Sequence, residues 1–165
     1  MLTFVRTGEL IQARWDEFDF ENAVWEIPAE RMKMRKPHIV PLSKQVLSIL
    51  QEQHALTGQW DWVFPNQVRP KSHMSNNTVL MALRRMGYQG QMTGHGFRAV
   101  ARTTIREKLR YDSEIIEKQL AHKTSNPLGE AYDRTQFLDD RKTMMQDWSD
   151  YVDALASGGK VIVGD

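Results

Sequence analysis

Apolar positions recur along this chain at two spacings. From Leu2 to Ile11, with Phe4, Val5 and Leu10 between, the pattern reads as a helix. It begins with no capping residue ahead of it, as expected of a helix cut near its start. From Asp19 to Ser43 the pattern changes to short runs of β-formers, 23–28 and 37–41, bounded by proline; these predict strands joined by a basic turn. Ser43 then caps an amphipathic helix with Val46, Ile49 and Leu50 on one face and Gly58 at its end. Trp62 to Phe64 reads as a short buried strand or turn, and Pro65 to Met74 as loop.

Helical spacing returns with Val79, Leu83 and Met86, capped by Ser75 and stopped at Gly87. A further helix is expected to open around His95 and run to about Leu109. Asp112 should cap the next, Ser113 to Ala121, with Tyr111 packing on Ile116 as a staple. After a polar stretch, 124–129, a strongly periodic helix is predicted from Phe137 to Leu155. Met144, Met145, Trp148, Val152 and Leu155 share its inner face, and Tyr151 belongs to that packing. The fold class is thus mainly α with a small antiparallel β-sheet or hairpin (α+β). Residues 1–156 make one domain, and 157–165 form a glycine-rich, disordered tail.

Composition narrows the classes. A chain of 165 residues, 41% of them hydrophobic, is one domain's worth with a proper core. No run approaches the eighteen or so apolar residues of a membrane span. Arg6 and Glu9 inside the first apolar segment argue against a secretion signal. Zero cysteines remove thiol nucleophiles, disulfides and thiolate metal sites together, so a cytoplasmic protein without a membrane partner is expected. Net charge is only +1, but it is segregated. Cations cluster at Arg31 to His38, at Arg69 to His73 and at Arg98 to Arg110, while acids gather at Asp16 to Glu30 and Asp139 to Asp153. Such segregation offers one positive face, although solvated helix faces give the same composition.

The candidate chemistry centres on Thr93 to Arg98. Breakers at Gly94 and Gly96 place His95 and Arg98 one turn apart at the start of a helix, aimed at the same spot near an anion-favouring terminus. That is a seat for a phosphate. Arg6, among apolar neighbours, needs either a local ion pair with Glu9 or a cleft to serve. Lysines on the 31–36 turn either aid solubility or reach into a groove. His122 stands at a helix C-terminus, and Tyr132 follows a Pro/Gly stretch.

Taken in order, Arg6-Thr-Gly-Glu-Leu10, a lysine on a β-turn, His95-Gly-Phe-Arg98, Leu120-Ala-His122 and a following tyrosine resemble the signature of tyrosine recombinases, integrases of prophages and genomic islands above all. The resemblance covers Leu2 to about Leu155. It implies that Arg6 and Arg98 clamp a phosphate, that Glu9 supports Arg6, and that Lys33 is the general acid, with Arg35 and Lys36 as near alternatives. It further implies that His95 and His122 complete the site and that Tyr132 is the nucleophile. Arg31, Arg35, Lys36 and Arg102 are expected to touch double-stranded DNA. No cofactor and no metal are implied, since a tyrosyl-phosphate link stores the bond energy for rejoining. The resemblance leads to the expectation of an N-terminally truncated catalytic domain without the family's separate DNA-clamping domain, and of a full-length protein that self-associates as a tetramer on DNA. A non-catalytic DNA-binding remnant and a type IB-like topoisomerase are the rival readings.

Overall fold

A computed structural model describes residues 1–122 and 137–158. Helix α1 (Thr7–Ile11) is followed by a three-stranded antiparallel sheet in the order β1 (Phe18–Asp19), β2 (Val24–Ile27), β3 (His38–Pro41). Helices α2 (Lys44–Thr57), α3 (Asn77–Arg85), α4 (Gly94–Glu107), α5 (Ser113–Gln119) and α6 (Leu138–Ala156) follow, and short 3-10 helices occupy Trp15–Glu17 and Ala29–Arg31. No described helix is long and apolar enough to cross a membrane.

The two expected strands pair in register, Val24 opposite Pro41 and Ile27 opposite His38. Their alternation sends Trp25, Ile27 and Val40 into a core shared with Val46 and Leu50 of α2. Ser43 caps α2 by accepting from the Val46 N–H. A second core forms where Ala101 and Ile105 of α4, Ile116 of α5 and Met144, Met145 and Trp148 of α6 meet around Phe4. Leu2 packs against both cores, so the N-terminal strap joins the sheet half to the helical half. Tyr151 stacks on Trp148 at 5.9 Å between ring centroids, in the packing role its spacing predicts.

Several expectations need correction. The first helix does not begin at Leu2. Phe4 takes a left-handed backbone (φ 60°), which no helix continues, and the helix starts only at Thr7. It is also capped after all: Glu9 accepts from the N–H of Arg6, the N-cap residue, at 2.7 Å. A third strand, Phe18–Asp19, adds to the edge of the hairpin; two residues are too few to carry a periodicity. Ile49, Met86 and Leu155 are more than half exposed, each at the margin of its helix's buried face. The α3 helix begins at Asn77, with Ser75 Oγ accepting from its N–H at 3.3 Å. Asp112 occupies the N-cap of α5 without a side-chain cap bond, and α5 ends at Gln119 rather than Ala121.

Candidate active site

The first turn of α4 is set by Thr93, whose hydroxyl oxygen accepts from the Gly96 N–H at 3.0 Å. His95 and Arg98 rise from that turn. His95 is exposed, whereas Arg98 is only 6% exposed. One arm of the Arg98 guanidinium, Nη2, donates to the Leu120 carbonyl at 2.8 Å, which aims the group across from α4 to the end of α5. Burial, helped by the Arg6 charge, lowers the Arg98 pKa, while Glu9 and Glu117 oppose the shift. A guanidinium starts so high that it stays cationic.

Arg6 reaches the same neighbourhood through a close helix contact. A Cβ on Gly94 would lie 2.2 Å from Thr7 Oγ1, so only glycine lets the first turns of α1 and α4 abut this tightly. Arg6 immediately precedes Thr7. Its Nη1 donates to Glu9 Oε1 at 2.7 Å, and Glu9 is itself buried. Glu9 thus holds both the backbone and the guanidinium of Arg6, the local ion pair that the sequence allows.

The third contributor comes from the end of α5. Ala121 turns the chain into the left-handed region (φ 50°), and the His122 N–H folds back onto the Glu117 carbonyl at 3.1 Å. The imidazole then donates from Nδ1 to Glu117 Oε2 at 2.5 Å, while Arg102 Nε donates to Oε1 of the same carboxylate at 2.5 Å. His95, Arg98, Ala99, Arg102, Leu120 and His122 line a cavity of about 230 Å³. A larger hollow, about 490 Å³, opens beside Arg14, Asp16, Glu17, Asp19 and Glu26. Its carboxylates repel an anion, and it contains no predicted catalytic residue. The smaller, cation-lined cavity is the candidate site for phosphate chemistry.

Beneath it lies a polar layer that sequence reasoning missed. The Nε2–H of His38 donates to the Gln119 carbonyl at 3.2 Å, and Arg141 Nε donates to Gln119 Oε1 at 2.9 Å. Arg141 also donates to the Ile39 carbonyl. His38 belongs to the first basic cluster by composition, yet it carries no charge at neutral pH. Burial first, then the nearby charge of Arg141, drives its pKa down to about 3. Arg141 had a readable signal: it sits on the inner face of α6, in line with Met144, Met145 and Trp148.

A model described as the phage integrase family matches residues 1–138. The chain belongs to the phage integrase family. Among curated relatives, prophage integrase IntA of Escherichia coli K12 is 41% identical over 162 residues, covering 98% of this chain and 39% of that protein. The integrase of Enterobacteria phage P4 is 43% identical over 168 residues, covering 93% of this chain and 38% of its own. The chain thus spans about two fifths of the length of the curated relatives it matches. Among solved structures, XerA recombinase aligns with a TM-score of 0.60 at 19% identity, over 84% of this chain and 54% of that one. An integrase from mycobacterium phage Brujita aligns at 0.64 and 16%, over 88% and 47%. Both show the fold.

Within this integrase-family fold, the remaining predicted residues are placed unevenly. Lys33, Arg35 and Lys36 are exposed on the turn before β3, and none lines the cavity. Arg31 is not the surface cation expected. Its guanidinium turns inward to Glu17 and to the backbone carbonyls of Glu9 and Gln12, and only 14% of its side chain is exposed. Arg102 is half exposed and held by Glu117. Tyr132 lies outside the described residues, as does the segment 157–165 beyond Gly158.

Proposed function

We propose that this chain is the catalytic part of a site-specific DNA recombinase. It cuts and rejoins double-stranded DNA through a 3′-phosphotyrosyl intermediate while a prophage or genomic island integrates or excises. One observation carries the reading: Arg98 is buried between His95 and His122 at a single cavity, with Arg6 on the adjoining helix turn. Membership of the phage integrase family supports it.

In this reading Arg6 and Arg98 donate to the non-bridging oxygens of one phosphate and offset the charge that grows as a fifth oxygen approaches phosphorus. The Leu120 carbonyl takes one arm of Arg98, so the remaining N–H groups are pre-aimed. Tyr132 attacks phosphorus. A phenol of ordinary pKa near ~10 must lose its proton as it does so, and His95 is the group assigned to help. The bond from phosphorus to the 5′-oxygen breaks, and Lys33, or Arg35 or Lys36 beside it, delivers a proton to that leaving oxygen. A different 5′-hydroxyl then reverses the step. His122 donates to a phosphate oxygen. The assembled protein works in the cytoplasm as a tetramer on DNA, with Arg35, Lys36 and Arg102 against the backbone and a separate DNA-clamping domain beside this one.

A nicked suicide duplex carrying the attachment site tests this directly. At low salt, where phosphate contacts count most, the chain should form a covalent DNA adduct and Tyr132→Phe should form none while binding with nearly unchanged affinity. Adducts from the phenylalanine variant would dismiss Tyr132, and none from the unaltered chain would favour a non-catalytic module. Sequence-indifferent relaxation of supercoiled plasmid would favour a topoisomerase.

A further inference from the structure

The Glu117 carboxylate is not assigned by the recombinase reading, yet two of that reading's side chains end on it. Its two oxygens are divided: Oε2 takes the Nδ1–H of His122 and Oε1 takes the Nε–H of Arg102, each at 2.5 Å. Both partners line the cavity and Glu117 does not. Burial would raise the Glu117 pKa, but the bonds from His122 and Arg102 outweigh it and hold the carboxyl below its ordinary value. It is therefore an anion at neutral pH and can only accept.

We infer that Glu117 is a positioning residue: its single carboxylate fixes the ring of His122 with Nδ1 as donor, so that Nε2 is the nitrogen left to meet a phosphate oxygen. This rests on the recombinase reading. The fold makes the arrangement possible in a way helix spacing does not. His122 follows Glu117 by five residues, and only the left-handed turn at Ala121 brings the imidazole back over the last turn of α5. With Nδ1–H committed to the carboxylate, a proton at Nε2 makes the ring an imidazolium that donates at both ends. The same anion offsets that charge beside Arg98 and Arg102. Orientation of a histidine through its second nitrogen is a general device for setting tautomer and direction together.

The test uses Glu117→Gln, which keeps the shape. Glutamine has one carbonyl, and Arg102 can only donate, so that carbonyl must face Arg102. The amide NH₂ then faces Nδ1 and forces the ring proton to Nε2. Nitrogen NMR of His122, recorded at an alkaline pH where its own spectrum shows a neutral ring, reads this without DNA. The unaltered chain and Arg102→Leu should show Nδ1–H; Glu117→Gln should show Nε2–H. On the suicide duplex Glu117→Gln should slow adduct formation by about 10- to 100-fold, the range seen for partners that orient metal-bound histidines, because the neutral Nε2–H ring lacks the positive charge that the carboxylate holds in place. An unchanged tautomer, or a switched tautomer with an unchanged rate, would overturn the inference. An unaltered chain that forms no adduct would instead overturn the recombinase reading, and the tautomer comparison would still decide whether Glu117 sets the ring.

Discussion

Arg141 donates to the side-chain oxygen of Gln119 at 2.9 Å inside the protein, tying α6 to the helix that leads into Leu120 and His122. Arg141 is 2% exposed and Gln119 1%, and burial lowers the arginine's pKa to about 10, so the charge persists at neutral pH. Its described partners are uncharged oxygens, those of Gln119 and the Ile39 carbonyl. Arg141→Met fills the space but strands both oxygens. Each buried acceptor without a donor costs about 1–3 kcal/mol, so urea denaturation should show a loss of about 2–6 kcal/mol.

His38 gives the fold a pH dependence with a definite sign. Its pKa is about 3 when folded and ~6.5 when unfolded. Between those values the unfolded chain binds the extra proton, so the contribution is full above ~6.5 and is lost as pH falls. The slope approaches about 1.4 kcal/mol per pH unit below that point. Comparing urea midpoints from pH 7 to 4 should show His38→Gln declining less steeply than the unaltered protein. Parallel profiles would mean that the buried imidazole is not the group responsible.

The abutting turns of α1 and α4 can be tested as a cycle. Gly94→Ala places a methyl 2.2 Å from Thr7 Oγ1, and a β-branched side chain has few ways to yield. Over-packing of this kind costs about 1–3 kcal/mol. Thr7→Ala removes the obstructing oxygen, so the double variant should recover to within ~0.5 kcal/mol of Thr7→Ala alone. Additive losses would show that the contact is not tight.

For Arg98 the informative change is to lysine, which keeps the charge and loses the fork. An ammonium cannot hold the Leu120 carbonyl and still offer two parallel donors to one phosphate. Adduct formation should drop by about 10² to 10³, the cost of one lost transition-state donor, with DNA affinity little changed. A lysine variant of normal rate would mean that charge alone suffices.

Much of this was legible from residue order. Helical spacing located α2, α4 and α6, and proline-bounded β-formers located β2 and β3, because each buries a face long enough to repeat. The left-handed Phe4 was not legible, since one residue's φ leaves no periodicity. Nor was the direction of Arg31. Its partner Glu17 lies fourteen positions upstream and meets it only once the sheet has formed. The motifs also singled out His95, Arg98 and His122, which line one cavity. Glu117 was not, because a partner five residues away becomes one only when the chain leaves the helix at Ala121.

The pairing of Thr7 with Gly94 has a consequence during synthesis. A ribosome delivers Arg6 first and the second guanidinium, at Arg98, only after the sheet, α2 and α3 have emerged. Contacts between such distant stretches form late. A nascent or interrupted product that stops short of Gly94 therefore lacks this contact and holds Arg6 with no Arg98 beside it.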